Sequence, residues 1–185
     1  MRVIGIVKWT EASPALRTPG VLDTIFFEAS GTKSFASDEA RSAFRERWLG
    51  RYLSDYPQWV YLALSSDGGV AGYLLGCLDD PAHTTLFSDI GYFNSISALT
   101  RRYPAHLHVN LAPEFRGRAL GRQLVEAFMG DAARAGCPGV HVVTATGMRN
   151  VAFYERNGFL ERGRFEANGR VLLFLGRDLS VGEAQ

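Results

Sequence analysis

The segment from His106 to Phe159 constrains the fold of this chain more than any other part of its sequence. Strand-like and helix-like stretches alternate here, in the order strand, helix, strand, helix: Ala105–Leu111, Ala119–Ala135, Val140–Ala145 and Arg149–Arg156. In the longer helix Leu120, Leu124 and Phe128 recur on one face, which lets the helix cover a sheet. Because strands joined by such a helix run parallel, the segment predicts a parallel strand pair within a mixed α/β fold.

The rest of the chain predicts antiparallel strands and further helices. Trp59–Leu64 and Val70–Leu78 flank a glycine-rich turn, and Phe159–Phe165 and Val171–Asp178 flank Asn168-Gly169, so both pairs favour β-hairpins. The other predicted elements are a strand over Val3–Lys8 and helices over Val21–Ala29, Ser37–Leu53 and Phe87–Arg101. The hydroxyl of Ser37 suits the N-cap of the second of these helices. The apolar stripe of the second helix contains Ala40, Phe44, Trp48 and Tyr52. We expect one domain over residues 1–185, since domains commonly contain roughly 100–200 residues.

Composition and charge exclude several classes of protein. With 46% hydrophobic residues and a formal charge of +1, the sequence is typical of a soluble globular protein and argues against a nucleic-acid partner. No apolar stretch approaches the roughly 20 residues of a membrane helix. Cys77 and Cys137 lack CxxC spacing, so we interpret both as reduced thiols. We expect a cytoplasmic protein, monomeric or homodimeric, with no membrane partner.

A loop with two glycines and three arginines leads directly into the longer helix. Its sequence is Arg116-Gly117-Arg118-Ala119-Leu120-Gly121-Arg122. Backbone N–H groups at a helix start have no intrahelical partner and carry about half a positive charge, so they bind an anion without any particular side chain. Arginines add long-range attraction and forked donors. The loop indicates a pyrophosphate site; the alternative is an ordinary turn into a surface helix.

A second motif follows the second strand of the parallel pair. Its sequence is Asn150-Val151-Ala152-Phe153-Tyr154-Glu155-Arg156-Asn157-Gly158-Phe159. In this order, and separated by a helix and a strand, the two motifs resemble those of the GNAT superfamily of acyl-CoA-dependent acyltransferases. The loop departs from the family pattern at Ala119, where the family has glycine. Since alanine is the smallest replacement and favours the helix, we expect a tightened fit of the ligand.

The resemblance implies a fold, a cosubstrate and a binding site. The fold would be α/β (α+β), a single GNAT-like domain with a mixed, twisted sheet of six to seven strands, flanking helices and a splayed central parallel strand pair. The cosubstrate would be acetyl-CoA, without a metal. The backbones of Val109 and Leu111 would hold pantetheine, while Asn150 and Phe153 would flank its thiol end or its chain. The residues that would bind the pyrophosphate are Arg116, Gly117, Arg118, Ala119, Gly121 and Arg122.

Two residues are candidates for proton transfer in a reaction with a small-molecule or peptide amine. By the resemblance, Tyr154 lies where the family's general acid protonates the departing thiolate, and a phenol with a pKa of about 10 is a proton donor at neutral pH. His108 is our candidate for the general base, because a histidine can take a proton from an attacking ammonium. It shares one strand face with His106 and Asn110. The alternatives are a packed surface tyrosine and a structural histidine.

Other interpretations stay open for several of these residues. Asn150 is also a common helix N-cap residue, and Phe153 is also a typical core aromatic. His106, His108 and His141 suggest a metal, but no carboxylate or thiolate at ligand spacing completes the set. Nucleic-acid binding through the arginines lacks aromatic residues interleaved with them.

A non-catalytic acyl-CoA-binding or interaction module is the rival of the enzyme. The runs Gly72–Asp79, His106–Arg122 and Leu175–Leu179 also resemble the acetyltransferase-like domain of O-GlcNAc-removing glycoside hydrolases, a domain regarded as catalytically doubtful. Compared with that domain, this chain retains more of the cofactor loop and also retains Tyr154. We therefore favour an active N-acetyltransferase.

Overall fold

Seven strands and seven α-helices make up the described part of the chain, residues 3–18 and 20–179, in this computed structural model. The strands are β1 (Val3–Lys8), β2 (Val60–Ser65), β3 (Val70–Cys77), β4 (Ala105–Leu111), β5 (Gly139–Ala145), β6 (Leu160–Ala167) and β7 (Arg170–Asp178). The helices are α1 (Asp23–Ala29), α2 (Asp38–Arg45), α3 (Arg51–Asp55), α4 (Tyr92–Ser95), α5 (Ser97–Arg102), α6 (Leu120–Arg134) and α7 (Asn150–Arg156). A π-helical segment, Glu46–Gly50, joins α2 to α3.

The strands form one mixed sheet in the order β1-β2-β3-β4-β5-β7-β6. β4 and β5 are parallel, whereas the pairs β1–β2, β2–β3, β5–β7 and β6–β7 are antiparallel. The parallel register pairs Ala105 with Val140 and His106 with His141. The predicted mixed sheet with a central parallel pair is confirmed, and the splay of that pair stays a prediction.

The chain forms two compact units, and both β4 and α6 run from one unit into the other. The first unit contains the described residues of Met1–Gly76 and His108–Phe128. The second contains those of Cys77–Leu107 and Met129–Gln185. The expectation of one domain over residues 1–185 stays a prediction.

In the first unit, α6 packs closely against β3 because Gly76 has no side chain. A Cβ atom on Gly76 would lie 2.3 Å from Cε2 of Phe128, so only glycine leaves room for this ring. Phe128 is fully buried and meets the rings of Trp59 and Tyr61 edge-on, with centroids 6.3 and 6.2 Å away. The contact fixes the helix that follows the arginine-containing loop.

In the second unit, the core surrounds Tyr103. Cβ atoms on Gly139 and Gly176 would lie 2.6 and 3.1 Å from the Tyr103 ring, so both glycines make space for it. The Tyr103 carbonyl oxygen lies 2.5 Å from Nδ1 of buried His141. The His141 ring in turn stacks on Phe174, with centroids 4.6 Å apart.

Two of the predicted local signals are confirmed. The Ser37 hydroxyl accepts a hydrogen bond from the amide of Ala40 at 3.2 Å, as expected of an N-cap. Asn168 and Gly169 have φ angles of 51° and 69°, the left-handed values that a two-residue hairpin turn needs.

Two predicted helices are interrupted. The helix expected over Ser37–Leu53 contains the π-helical segment between α2 and α3. The helix expected over Phe87–Arg101 consists of a 3₁₀ turn and two short helices, α4 and α5. Ile96 separates α4 from α5 because its dihedral angles, φ −115° and ψ 21°, are not helical.

Candidate active site

The loop between β4 and α6 leads into a helix start whose first amide groups have no acceptor within the helix. It begins with a 3₁₀ turn over Pro113–Phe115 whose last residue is buried, and Gly117 then takes a left-handed φ of 75°. The first bond of α6 runs from the Gln123 amide to the Ala119 carbonyl at 3.1 Å, so the preceding amides have no acceptor within the helix. No acidic side chain lies in the first turn of this fully described helix. Its positive end is therefore uncompensated, which suits an anion.

Ala119 lies just before α6 in a conformation that favours glycine. Its φ is 59°, and a left-handed backbone costs a residue with a Cβ atom roughly 1–2 kcal/mol. The expectation that alanine favours the helix at this position is wrong, because the helix begins one residue later, at Leu120. The closer fit of a ligand stays a prediction.

The variant Ala119→Gly should be more stable than the native chain. Glycine relieves the left-handed strain, and its larger unfolded-state entropy offsets part of the gain, so we expect up to about 1 kcal/mol in the free energy of unfolding. Thermal and urea denaturation measure this difference. Ala127→Gly, within α6, is the matched control and should lose about 1 kcal/mol. Equal losses in both variants would contradict the left-handed conformation of Ala119.

The three loop arginines are exposed and are held in different ways. Arg116 donates from Nε to the carbonyl oxygen of Leu111 at 3.1 Å, which ties its guanidinium to the end of β4. Arg122 donates from Nε to Oε1 of Glu126 at 2.8 Å, one helical turn further along α6. Arg118 lies in the middle of the loop. A phosphate that binds Arg122 must therefore compete with a carboxylate, whereas Arg116 is held beside the strand.

At the C-terminal end of β4, the backbone groups point alternately to the two edges of the strand, and the Leu111 carbonyl oxygen already accepts a hydrogen bond from Arg116. The Ala112 amide donates to a β3 carbonyl at 3.0 Å, and the Asn110 carbonyl oxygen lies 2.8 Å from the position of a Cβ atom on Gly72. Both groups therefore face β3. Because the polar groups of successive strand residues point in alternate directions, those of Val109 and Leu111 point to the opposite edge. This edge can pair with an extended, amide-containing ligand.

His108 and Asn110 each meet a tyrosine hydroxyl of the same unit. Nε2 of half-buried His108 lies 3.2 Å from the Tyr52 hydroxyl, and the rings of Tyr52 and Trp48 meet the imidazole edge-on at 5.4 and 5.5 Å. Asn110 donates from Nδ2 to the hydroxyl of buried Tyr73 at 2.9 Å. The polar face of this half of β4 is thus lined by a histidine, an amide and two phenols.

His106 shares this strand face but lies in the core of the second unit. It is buried, and its ring centroid lies 4.7 Å from that of Phe87 and 5.5 Å from that of His141. The three polar residues of β4 therefore do not form one cluster, and only His108 stays a candidate base. In residues 3–18 and 20–179, no group of three or more His, Cys, Asp or Glu side chains is arranged to hold a metal ion.

Burial, assisted by the positive charge of Arg51, lowers the pKa of His108 to about 4. The imidazole is therefore neutral at neutral pH, and one ring nitrogen has a lone pair to accept a proton. A base with so low a pKa takes a proton only while the donor is strongly acidic and then releases it to water. His108 thus suits transient proton removal from a nitrogen that is forming a bond.

The low pKa of His108 should make the chain less stable in acid. Its folded pKa lies below the unfolded value of about 6.5, so the unfolded state binds more protons between these two values. As the pH falls through this window, His108 should cost up to about 3 kcal/mol of unfolding free energy. His108→Gln should remove this loss in urea titrations from neutral pH to about 4. The surface variant His83→Gln controls for the loss of a histidine, and an unchanged pH dependence in His108→Gln would contradict the assignment.

Tyr154 is a buried residue of α7, which excludes the surface packing considered from the sequence. Its ring lies edge-on to those of Phe153 and Phe159, at 5.1 and 5.5 Å. Its hydroxyl has no hydrogen-bonding partner among the residues that the structure describes. Burial raises the pKa of this phenol above its ordinary value, so it stays protonated at neutral and moderately alkaline pH. The proton is thus available to a ligand.

Asn150 is the first residue of α7, and the N-cap position belongs to Arg149. The Asn150 side-chain oxygen accepts a hydrogen bond from the Thr144 hydroxyl at 2.9 Å, across the turn from β5. The N-cap interpretation of Asn150 is therefore wrong. With its oxygen held by Thr144, the amide NH₂ group is oriented as a donor.

The sequence reasoning missed the partners of the site residues. Trp48 and Tyr52 were assigned to an apolar helix stripe, although a histidine at a strand position without a partner could have suggested an aromatic neighbour. No sequence pattern marked Tyr73 as the partner of Asn110 or Thr144 as the partner of Asn150.

None of the described helices combines the length and the apolar character needed to span a bilayer.

Comparison with known proteins agrees with this geometry. A sequence profile of the Acetyltransferase (GNAT) family matches residues 32–159. The solved structure of SsHAT is 21% identical, covers 95% of this chain and 98% of its own, and has a TM-score of 0.70. The structure of ribosomal-protein-alanine N-acetyltransferase from Brucella melitensis is 21% identical, covers 95% of this chain and 100% of its own, and has a TM-score of 0.61. A GNAT superfamily phosphinothricin acetyltransferase from Sinorhizobium meliloti, in complex with AcCoA, is 19% identical, covers 100% of this chain and 92% of its own, and has a TM-score of 0.63.

These solved structures share the fold of the chain, and the family profile spans more than half of its residues, including the loop before α6 and all of α7. The predictions of a GNAT fold and of the acetyltransferase class are confirmed. The chain belongs to the Acetyltransferase (GNAT) family.

Proposed function

We propose that the chain transfers the acetyl group of acetyl-CoA directly to an amine. The observation that carries this proposal is the uncompensated start of α6, which follows a loop with two left-handed residues, Gly117 and Ala119. The relative from Sinorhizobium meliloti, which was solved in complex with AcCoA, supports acetyl-CoA as the acyl donor. In this proposal, the donor's diphosphate binds the loop amides and the guanidinium groups of Arg116, Arg118 and Arg122.

The remaining contacts of acetyl-CoA follow from the edge of β4 that faces away from β3 and from α7. The amide groups of pantetheine pair with the backbone of Val109 and Leu111. Asn150 donates from its side-chain amide, and half-buried Phe153 supplies an apolar surface beside the thiol end of the donor. The loop backbone at Gly121 stays close to the diphosphate because no side chain intervenes.

Acyl transfer proceeds by direct attack of the amine nitrogen on the thioester carbonyl. The C–N bond forms and the C–S bond breaks, while backbone N–H groups near Leu111 stabilise the charge that develops on the carbonyl oxygen. His108 takes the nitrogen's proton as this bond forms and releases it to water. Tyr154 gives its phenolic proton to the departing thiolate and regains one from solvent.

The acceptor is a small-molecule or peptide amine. The structural relatives include acetyltransferases of both kinds, one for phosphinothricin and one for a ribosomal-protein alanine. The buried free thiols Cys77 and Cys137 support a reducing compartment such as the cytoplasm. We propose that residues 1–185 act there as one domain, monomeric or homodimeric, without nucleic-acid or membrane partners.

The decisive experiment incubates the protein with acetyl-CoA and a panel of amines that spans amino acids, polyamines and peptide N-termini. Release of free CoA thiol that depends on the amine, together with an acetylated product identified by mass, would establish the activity. Binding of acetyl-CoA by calorimetry without turnover of any amine would instead favour the non-catalytic module. Absence of binding would contradict both functions.

A further inference from the structure

The surroundings of His108 support an inference that deepens the proposed function and rests on it. We propose that Tyr52 is a positioning residue whose hydroxyl oxygen accepts the Nε2–H of His108, which leaves Nδ1 as the atom that takes the proton of the acceptor amine. The inference concerns one hydrogen bond and the tautomer that this bond selects.

The imidazole of His108 is oriented from two sides. The Tyr52 hydroxyl lies 3.2 Å from Nε2, and Tyr52 is itself only 1% exposed, so this phenol has little freedom to move. The rings of Trp48 and Tyr52 stand nearly perpendicular to the imidazole, at 80° and 79°. These contacts restrict rotation of the imidazole about its χ angles and hold Nε2 towards Tyr52.

Trp48 and Tyr52 lie four residues apart, Trp48 in the π-helical segment Glu46–Gly50 and Tyr52 on α3. Residues four apart lie on one face of a helix, so both rings can contact a single histidine. The π turn beside them is of a kind that is frequent at functional sites.

The choice of tautomer follows from the proposed role of His108 as a base, because the 3.2 Å contact with Tyr52 fits a hydrogen bond in either direction. A neutral imidazole has one N–H donor and one lone-pair acceptor. Nδ1 has no hydrogen-bonding partner in the described part of the chain, and His108 is half-buried rather than enclosed. If Nε2 holds the hydrogen, the lone pair lies on the unoccupied Nδ1, where a substrate nitrogen can reach it. The charged group that acts on this ring is Arg51, which opposes retention of the proton.

The proposal is tested by long-range ¹H–¹⁵N correlation spectra of the full chain labelled at histidine, near neutral pH. The signals that disappear in His108→Gln identify the residue. We expect the Nε2–H tautomer in the native chain and a mixture of tautomers in Tyr52→Phe. An Nδ1–H tautomer in the native chain, or an unchanged tautomer in Tyr52→Phe, would overturn the proposal. These spectra decide the inference even if no amine is acetylated.

Steady-state kinetics provide a second test of this proposal once an acceptor amine is known. Tyr52→Phe should lower kcat by about tenfold to 100-fold with little change in the KM for acetyl-CoA. Tyr52→Phe should also have little further effect on kcat in the His108→Gln background, because both substitutions disable the same hydrogen-bonded pair. Tyr56→Phe, a neighbouring buried tyrosine whose ring lies 6.3 Å from that of Tyr52, is the matched control. Losses that multiply in the double variant would show that Tyr52 does not act through His108.

Discussion

Gly121→Glu should weaken the binding of acetyl-CoA by about 100-fold to 1,000-fold. Gly121 is the second residue of α6, and its amide is among those without an acceptor in the helix. A carboxylate there would bind these amides itself and repel the diphosphate. Two unit charges at about 4 Å near a protein surface interact with roughly 4 kcal/mol, and each 1.4 kcal/mol corresponds to a factor of about ten. Calorimetric titration with acetyl-CoA and with CoA measures the loss.

The matched control for this variant is Gly130→Glu on the same helix. Position 130 lies nine residues further along α6, or roughly 13 Å at the rise of an α-helix. There the new carboxylate would come close to Arg134, whose Nη1 is 3.5 Å from the position of a Cβ atom. Gly130→Glu should bind acetyl-CoA normally, and circular dichroism should show both variants folded. Normal binding by folded Gly121→Glu would remove the loop from the donor site.

Tyr154→Phe should lower kcat by about 100-fold to 10,000-fold, the range of a general acid, while the Kd for acetyl-CoA stays unchanged. Phenylalanine preserves the ring contacts with Phe153 and Phe159, so only the proton donor is lost. Because burial raises the pKa of Tyr154, the native activity should persist as the pH rises through the ordinary tyrosine value. Steady-state kinetics across alkaline pH, with a known acceptor amine, measure both effects.

Tyr92→Phe is the control for the loss of a tyrosine hydroxyl. Burial also raises the pKa of Tyr92, and its ring packs against Phe165 at 5.4 Å, but the residue belongs to neither motif. Its removal should leave kcat within the error of the native value. If Tyr154→Phe behaves in the same way, the thiolate departs without this acid, and Tyr154 serves only the core.

Short-range signals explain the elements that the sequence predicted well. The bounds of β1 and β4, Val3–Lys8 and Ala105–Leu111, agree with the prediction. Strand patterns, the Ser37 N-cap and the Asn168-Gly169 turn depend on residues within a few positions of one another, so the sequence contains the whole cause. The loop before α6 and the α7 motif were recognisable for the same reason.

Long-range contacts explain what the sequence could not predict. The alternation along β4 assigned His106 and His108 to one face, but it could not show that Phe87 covers the first and Tyr52 the second. A strand pattern identifies a face and contains no information on the segment that packs against it. The left-handed backbone of Ala119 likewise depends on how the loop closes between β4 and α6.

The outward edge of β4 affects how freely sequences of this family can diverge. Amides and carbonyls of Val109 and Leu111 belong to the main chain, so nearly any side-chain replacement leaves the same donors and acceptors in place. Proline is the exception, because it removes an N–H group. Recognition through main-chain atoms tolerates substitution of the side chains. Low sequence identity among relatives is therefore compatible with a shared acyl donor. With the pantetheine contacts proposed above, diversity of acceptors can accumulate in side chains elsewhere without altering the strand that would receive the common arm.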